Sequence, residues 1–313
     1  MRIVVALGGN ALLRRGESLT ATAQQQNIDV AAQVLADIAA AGHQLIVTHG
    51  NGPQVGLLAL QSASGPAESA LPLDVLGAES EGWIGYAIEL ALRNASPRGA
   101  EIVTLLTQTL VDAADPAFKT PVKPVGPRYD EGAAQRMAAD HHWSVAREGK
   151  FWRRVVASPK PLGIVEIASI RRLADAGVIV ICAGGGGIPV FARPDGKLAG
   201  LEAVVDKDAT SALLAAQIGA KMFVMLTDVD GVYLDFGTDH QRMIARAGPQ
   251  ILEAQSAAFK AGSMGPKVRA ACDFVTATGH VAGIGPLTAA GAIIRENAGT
   301  IVTMKQAGIS YAA

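Results

Sequence analysis

The chain has 313 residues, of which 50% are hydrophobic, 18% are charged and only 4% are aromatic. That composition excludes a disordered, collagen-like or disulfide-stabilised protein. The 27 basic and 28 acidic residues give a formal net charge of -1. A balance so close to neutral provides no overall field that would attract a nucleic acid or an anionic membrane, so we expect small molecules as partners.

The cysteines and the N-terminal residues predict a cytoplasmic protein. Cys182 and Cys272 lie far apart in apolar surroundings without metal-ligand spacing, as expected for unpaired thiols in a reducing compartment. The apolar stretch after Arg2 ends at Gly8, so no signal peptide is evident. The mean hydropathy of +0.27 is high, but the longest apolar runs fall far short of the ~20 residues that a membrane-spanning helix needs.

Short β-branched runs predict buried parallel strands. These runs cover residues 2–7, 44–48, 102–107, 178–182, 222–227 and 300–304. Helical patterns separate them. The first helix is predicted to begin at Thr22, which forms a capping-box pattern with Gln25, and to end at Gly42.

Two later helices have clear boundaries in the sequence. One is predicted to begin near Asp208 and to end at Gly219, and the other carries Pro266 in its first turn and ends at Gly279. Because strands and helices alternate throughout, the sequence predicts an α/β fold with an open, mainly parallel sheet and helices on both faces.

One segment, residues 112–156, interrupts this alternation. It contains DPAFKTPVKPVGPRYDEG and, further on, HHW and KFWRR. Prolines this dense exclude a central strand or a helix interior. We interpret the segment as an excursion from the main domain, and it is either a small lobe or lid over the site or a surface loop without a role.

Glycines concentrate directly after predicted strands. The residues concerned are Gly8, Gly9 and Asn10 after the first strand, Gly50 and Asn51 after the second, and the run 184–187 after strand 178–182. Ligands of open parallel sheets bind at the carboxyl ends of the strands, and glycine turns there let backbone N–H groups approach phosphate oxygens. The turns therefore predict an anion site; the alternative is that they need glycine for backbone conformation alone.

Two lysines lie where a helix dipole disfavours a cation. Lys267 is in the first turn of its helix, and Lys207 directly precedes another helix. A bound anion would turn this penalty of about 0.3–1 kcal/mol into an attraction. Asp208 then orients lysines that hold a phosphoryl group, or, alternatively, Asp208 is a simple helix cap beside a local ion pair. Lys123 lies between prolines in the excursion, from where it can be brought over the site.

Other motifs narrow the chemistry. Asp228 and Tyr233 in LTDVDGVY suit adenosine recognition, although an Asp-Gly turn with a core tyrosine explains them equally well. The chain lacks GxxxxGK[ST], lacks GxGxxG with a following acidic residue, and lacks GxSxG. A P-loop ATPase, a standard dinucleotide enzyme and an α/β-hydrolase are therefore disfavoured. The scattered histidines give no zinc site.

Seven segments together carry a family resemblance. In chain order they are VVALGGNALL, THGNGPQVGLLALQ, RRVVASP, VICAGGGGIPV, AVVDKDATSALLA, LTDVDGVY and GSMGPKV. They resemble the carbamate kinases, a branch of the amino-acid kinase superfamily, over nearly the whole chain. The resemblance implies one domain over residues 1–313 with a three-layer αβα sandwich, a mainly parallel central sheet and a small protruding subdomain, assembled as a homodimer.

The resemblance also implies roles for individual residues. The N-terminal half would bind carbamate and the transferring phosphoryl group, through Gly8, Gly9, Asn10, Gly50 and Asn51. The catalytic residues would be Lys123, Lys207, Asp208 and Lys267, with Lys123 on the protruding subdomain at 112–156 replacing a lysine that other branches carry in the first glycine turn. The C-terminal half, about 200–313, would bind the nucleotide through Asp228, Tyr233, Met264 and Gly265. Roles for Arg128 and Arg154 stay open.

The implied reaction is reversible: ATP and carbamate give ADP and carbamoyl phosphate, and arginine-fermenting organisms run it toward ATP. Carbamate is already an anion, so phosphoryl transfer needs positioning and charge stabilisation without a general base. The nucleotide would carry its own Mg²⁺, and no metal ligands are expected from protein side chains. The alternatives are another amino-acid kinase, such as acetylglutamate kinase, or a catalytically silent nucleotide-binding regulator.

Overall fold

The computed structural model describes residues 1–13, 17, 20–65, 70–259 and 263–312, with only the backbone of Asn10 and Ala11. The strands are β1 (Arg2–Leu7), β2 (Gln44–His49), β3 (Ile102–Thr104), β4 (Gln108–Leu110), β5 (Lys123–Tyr129), β6 (Ser144–Glu148), β7 (Phe151–Val156), β8 (Gly163–Ile164), β9 (Ile179–Ile181), β10 (Ile188–Ala192), β11 (Leu198–Gly200), β12 (Met222–Thr227), β13 (Val232–Leu234), β14 (Arg242–Ala247), β15 (Val281–Pro286), β16 (Thr300–Val302) and β17 (Ile309–Tyr311).

The α-helices are α1 (Gly9–Leu12), α2 (Ala21–Ala40), α3 (Gly52–Ala63), α4 (Leu73–Ala95), α5 (Glu131–His141), α6 (Ile167–Asp175), α7 (Lys207–Gln217), α8 (Pro249–Ala254), α9 (Met264–Thr278) and α10 (Ala290–Ile294). Short 3₁₀ turns lie at Pro116–Phe118, Gly184–Gly186, Ser256–Ala258 and Leu287–Ala289. No helix among the described residues has both the length and the apolar character needed to span a bilayer.

A large central sheet organises the chain, with the order β13-β14-β16-β15-β12-β1-β2-β9-β3 and with β17 paired to β14. Strand β1 pairs in parallel with β2 on one side and with β12 on the other, so that Val4 lies between Ile46 and Phe223. The pairs β2–β9, β3–β9 and β12–β15 are also parallel. The carboxyl ends of β1, β2, β9 and β12 therefore meet at one edge of the sheet.

Both faces of this sheet are covered. Alternate residues of β1 point to opposite faces: Val4 and Ala6 join a core with α6, α7 and α9, while Ile3 and Val5 join a core with α2, α4 and α10. This arrangement confirms the predicted three-layer αβα fold with a mainly parallel central sheet. Because both faces of the strands are buried, their sequences are continuous apolar runs.

Some predicted strands differ in extent or partner. Of the predicted strand 102–107, only residues 102–104 form a strand, β3. The chain then continues to β4, which belongs to a second sheet of order β11-β10-β4-β8. The run 300–304 shortens to β16, which is antiparallel to β15 and parallel to β14. Strand β15 was missed because its sequence VAGIGP contains two glycines and a proline. A Cβ on Gly283 would lie 2.4 Å from Cγ2 of Ile293, so α10 occupies the space that a side chain would need.

One predicted helix start is wrong, whereas a second start and one helix end are confirmed. Helix α2 is capped by Thr20, whose hydroxyl accepts from the N–H of Ala23, so the capping box predicted at Thr22 does not form. Helix α7 begins at Lys207, in agreement with the start predicted near Asp208; its cap is Asp206, and Asp208 lies inside its first turn. Helix α9 ends at Gly279 in the left-handed conformation, as predicted.

The proline-rich excursion contains a separate sheet. Strands β5, β7 and β6 lie in that order, with α5 connecting β5 to β6. We call residues 123–156 the lobe. Pro124 and Pro127 lie in β5, which is an edge strand whose pairing with β7 shifts between Val125 and Tyr129. Proline is tolerated at such an edge because it interrupts no ladder on the open side.

Both cysteines are buried and unpaired, in agreement with the sequence analysis. Burial raises the pKa of the Cys272 thiol to about 12 and also raises the pKa of Cys182. Both thiols are therefore protonated and unreactive at neutral pH.

The lobe meets the main domain at a close glycine contact, which makes Gly56→Ala informative. A Cβ on Gly56 of α3 would lie 2.6 Å from Cα and 2.9 Å from the backbone nitrogen of Gly126 in β5. We expect Gly56→Ala to destabilise the fold by about 1–3 kcal/mol, the usual scale of overpacking, as measured by chemical denaturation.

Gly77→Ala is the matched control, because Gly77 is also helical and nothing lies within 4 Å of its added Cβ. We expect this change to stabilise the protein by about 0.4–1 kcal/mol through reduced freedom of the unfolded chain. Equal effects of the two substitutions would contradict the close contact between α3 and the lobe.

Candidate active site

Two glycine turns and one lysine meet at the carboxyl edge of the central sheet. A Cβ on Gly50, after β2, would lie 3.4 Å from the backbone nitrogen of Gly9 and 3.9 Å from Cδ of Lys207. Gly8 donates its N–H to the carbonyl of Leu226 at 2.9 Å, which ties the turn after β1 to β12. The structure thus brings Gly8, Gly9 and Gly50 together, as the sequence predicted for an anion site.

One buried carboxylate holds two ammonium groups at this edge. Asp208 Oδ2 accepts a hydrogen bond from Lys267 Nζ at 2.9 Å, and Lys207 Nζ lies 2.9 Å from Oδ1. The Lys207 contact is an ion pair outside hydrogen-bond geometry; Lys207 Nζ donates instead to the carbonyl of Leu7 at 3.1 Å. The exposed side-chain fractions are only 11% for Lys207, 8% for Asp208 and 13% for Lys267.

The charged groups in this cluster shift one another's pKa values. Burial by itself would raise the pKa of the Asp208 carboxyl, but the charges of Lys207 and Lys267 outweigh burial and hold that pKa well below its usual range. Burial lowers the pKa of the Lys207 ammonium, Asp208 raises it, and Lys267 lowers it further. One anion between two cations leaves a net positive charge, which favours a further anion at the glycine turns.

Lys123 of the lobe reaches the same helix terminus. Its Nζ lies 2.7 Å from Oδ2 of Asp206, while Oδ1 of Asp206 accepts from the backbone N–H groups of Asp208 and Ala209 at 3.0 and 3.2 Å. One carboxylate therefore caps α7 and holds the lobe's lysine at the start of the helix that carries Lys207. The alternative that Asp208 is the helix cap is therefore wrong, and this role of Asp206 was not predicted.

The third glycine turn is held by a buried carboxyl group. Glu81 of α4 accepts from the N–H of Gly184 at 2.8 Å and from the N–H of Thr107 at 3.1 Å. Burial raises the pKa of Glu81 to about 8, although these hydrogen bonds oppose the shift. The sequence analysis missed Glu81; a glutamate on the apolar face of a helix, one turn before Ile84 and Gly85, was the available signal.

A buried histidine also supports the two turns. His49 Nδ1 lies 3.1 Å from the carbonyl oxygen of Gly50 and donates to it, and Nε2 has no hydrogen-bond partner in the described part of the chain. Burial lowers the pKa of His49 to about 4, so the ring is neutral at pH 7. A Cβ on Gly184 would lie 2.3 Å from Cε1 of this ring, so only glycine fits there.

The residues predicted for the nucleotide are more dispersed. Asp228 follows β12 and is exposed, and its Oδ1 accepts from the hydroxyl of Thr227 at 3.2 Å. Tyr233 lies on β13 at the far edge of the sheet and packs edge-to-face on Phe236.

Met264 and Gly265 open α9, the helix that carries Lys267. Met264 packs against the core shared by α7 and α9. The side chain of Asn10 lies outside the described part of the structure.

The two arginines without predicted roles both act within or beside the lobe. Arg128 pairs with Glu148 at 3.0 Å, inside the lobe. Arg154 pairs with Glu202 of the main domain at 2.7 Å and lies over the ring of Trp143, with its guanidinium carbon 4.3 Å from the centroid. Arg154 therefore connects the lobe to the segment that precedes α7.

Comparisons with known proteins agree with this geometry. A family model described as "Amino acid kinase family" matches residues 1–284. The chain belongs to the amino acid kinase family. It is 50% identical over 313 residues to a carbamate kinase of Rhizobium meliloti, covering 99% of this chain and 96% of the relative. It is 49% identical to a carbamate kinase of Haemophilus influenzae, covering 99% of each chain.

Solved structures extend the comparison. The carbamate kinase from Giardia lamblia bound to AMP-PNP has a TM-score of 0.88 and 40% identity, covering 96% of this chain and 98% of its own. A UMP kinase from Bacillus anthracis shares the fold, with a TM-score of 0.57 at 16% identity. The family resemblance and the kinase activity inferred from the motifs are thereby confirmed.

Asp208→Asn tests the electrostatic role of the central carboxylate. Without the negative charge of Asp208, the pKa of Lys207 is no longer raised, while burial and the charge of Lys267 still lower it. We expect kcat to fall by ~10²-fold or more, and the alkaline limb of the kcat profile to move to lower pH. Steady-state rates measured across a pH series test this, and an alkaline limb at the wild-type pH would contradict it.

Asp206→Asn tests the link to the lobe. Asparagine caps helices about as well as aspartate, so thermal stability should change little, while the charge that holds Lys123 is lost and kcat falls by about tenfold or more. The control is a double-mutant cycle with Lys123→Met. Losses in kcat that simply multiply in the double variant would show that the two residues act independently.

Proposed function

We propose that the protein transfers a phosphoryl group reversibly between ATP and carbamate, giving ADP and carbamoyl phosphate. The observation that carries this proposal is the buried pair of ammonium groups on Asp208, beside the glycine turns at the carboxyl edge of the sheet. The full-length similarity to carbamate kinases, 50% identical in one relative, supports carbamate as the acceptor.

Backbone groups of the glycine turns bind the acceptor in this proposal. Gly8, Gly9 and Asn10 on one turn, with Gly50 and Asn51 on the other, surround carbamate and the transferring group. Support comes from the closeness of the two turns, since a Cβ on Gly50 would lie 3.4 Å from the backbone nitrogen of Gly9. Backbone N–H groups without neighbouring Cβ atoms can donate directly to phosphoryl oxygens.

The lysines stabilise the charge of the transferring group. A phosphoryl group passes through a loose in-line transition state with charge on its equatorial oxygens, so catalysis consists of positioning and electrostatic stabilisation. Lys207 and Lys267 neutralise this charge, Asp208 holds both, and Lys123 approaches from the lobe. Carbamate attacks as an anion, so no protein group has to remove a proton.

The nucleotide enters as its magnesium complex and binds along the C-terminal half, about 200–313, where Asp228, Tyr233, Met264 and Gly265 line its site. Mg²⁺ neutralises phosphate charge in that complex. The donor set fits a metal that arrives with the nucleotide, since the carboxylate of Asp208 is occupied by two lysines. Among the described residues, no three His, Cys, Asp or Glu side chains are grouped to hold a metal.

The remaining elements of the proposal concern assembly and context. Residues 1–313 act as one domain in which the segment 112–156 closes over the acceptor. The protein acts in the cytoplasm as a homodimer. An apolar stripe on α4, where Trp83, Tyr86 and Leu90 are 36%, 65% and 42% exposed, supports the homodimer. The reaction makes ATP during arginine breakdown by the deiminase route.

Synthesis of ATP from carbamoyl phosphate tests the proposed activity. Purified protein with Mg²⁺, ADP and carbamoyl phosphate should form ATP, as followed by a coupled luminescence assay. The matched variant is Lys207→Ala, whose kcat should fall by at least ~10²-fold because one preorganised charge is lost. Absence of ATP above background with the wild-type protein would refute carbamate as the acceptor, and a wild-type kcat in Lys207→Ala would reassign that lysine to a structural role.

A further inference from the structure

Asn51 occupies a helix cap but does not cap the helix. It is the N-cap residue of α3, and its side chain makes no hydrogen bond to the first turn. Asparagine at this position usually satisfies a backbone N–H two or three residues further on. Here the side chain turns to α4, where Nδ2 donates to Ser80 Oγ at 2.8 Å.

The hydroxyl of Ser80 determines which end of the Asn51 amide faces it. Ser80 is fully buried, and its Oγ donates its single proton to the carbonyl of Gly77 at 2.8 Å. The oxygen can then only accept from Asn51, so the amide must present its NH₂ group to Ser80. This chain of donors therefore fixes the orientation of the Asn51 amide.

The fixed orientation leaves Oδ1 of Asn51 as a hydrogen-bond acceptor. Among the described residues, no donor is bound to this oxygen, and it is not among the atoms sealed from solvent. Gly185 packs on the amide, since a Cβ there would lie 2.1 Å from Nδ2 and 2.6 Å from Oδ1. Asn51 also follows Gly50 directly, beside Gly9 and Lys207, so the acceptor belongs to the edge where the phosphoryl acceptor is proposed to bind.

We propose that Ser80 is a positioning residue that makes Asn51 Oδ1 the acceptor for the amino group of carbamate, and thereby selects carbamate over acetate. This inference rests on the proposed function. Carbamate and acetate have the same shape and charge, and they differ in an NH₂ group against a methyl group. A site that hydrogen-bonds the amino group discriminates against the methyl analogue, because the bound methyl group would cover the accepting oxygen without donating to it.

Ser80→Ala tests the proposal through selectivity. Without the Ser80 oxygen, the Asn51 amide can turn over and present NH₂ to the substrate amino group. We expect the KM of carbamoyl phosphate to rise about tenfold, with a smaller change in kcat, while the inhibition constant of acetyl phosphate is unchanged. Ser80→Cys keeps a side chain of similar size that accepts hydrogen bonds only weakly. It should therefore also raise the ratio of the KM of carbamoyl phosphate to the inhibition constant of acetyl phosphate.

Two controls separate positioning from general structural damage. Ser211→Ala is matched, because Ser211 is also fully buried and donates to a carbonyl in its own helix, Lys207 O at 2.7 Å, without touching Asn51; the ratio should keep its wild-type value. Asn51→Ala should raise the KM of carbamoyl phosphate by itself, and adding Ser80→Ala to it should cause no further change.

Each outcome decides the question. The positioning role is overturned if Ser80→Ala weakens the binding of carbamoyl phosphate and of acetyl phosphate equally, or if adding it to Asn51→Ala raises the KM further. Either result leaves the proposed function intact. A wild-type protein that makes no ATP from carbamoyl phosphate overturns the proposed function and this inference with it. A selective loss for carbamoyl phosphate that disappears in the Asn51→Ala background supports the proposal.

Discussion

The site depends on one buried carboxylate that binds two ammonium groups where water is largely excluded. Two buried cations close together repel each other strongly, and each also pays a desolvation penalty. Asp208 offsets both effects, with Lys207 and Lys267 each 2.9 Å from one of its oxygens. The resulting cluster keeps an excess positive charge beside glycine turns, in a position that the helix dipoles of α7 and α9 make more favourable for an anion.

The rest of the fold supplies the elements that this cluster needs. Parallel pairing of β1 with β2 and β12 brings the glycine turns to one edge, and the packing of α7 beside α9 brings the two lysines onto one carboxylate. Asp206 connects that arrangement to the lobe, because it caps α7 with one oxygen and holds Lys123 with the other. The lobe and the α7 terminus are therefore connected through a single side chain.

A second layer of buried polar groups fixes the turns themselves. Glu81 holds the N–H of Gly184, His49 is neutral and supports the carbonyl of Gly50, and Ser80 fixes the amide of Asn51. These groups lie on α4 or at the end of β2, behind the glycines that touch substrate in our proposal. Buried polar networks of this kind specify a unique arrangement because any unsatisfied member is costly.

The sequence was enough to predict the αβα architecture, the family, and the glycines and lysines that gather at the carboxyl edge of the sheet. Apolar runs of strand length, glycine turns after them and cations at helix starts are local signals, so they could be recognised without a structure. Tertiary structure alone decided the parts that depend on distant neighbours. Strand β15 was not predicted because it contains glycines, which Ile293 of α10 requires by occupying the space of their side chains. The second role of Asp206, which caps α7 with Oδ1 and holds Lys123 of the lobe with Oδ2, depends on a residue 83 positions away. Glu81 stands out as a glutamate on an apolar helix face, but its role and that of Ser80 come from hydrogen bonds to residues 103 and 29 positions away, which only the folded chain brings within reach.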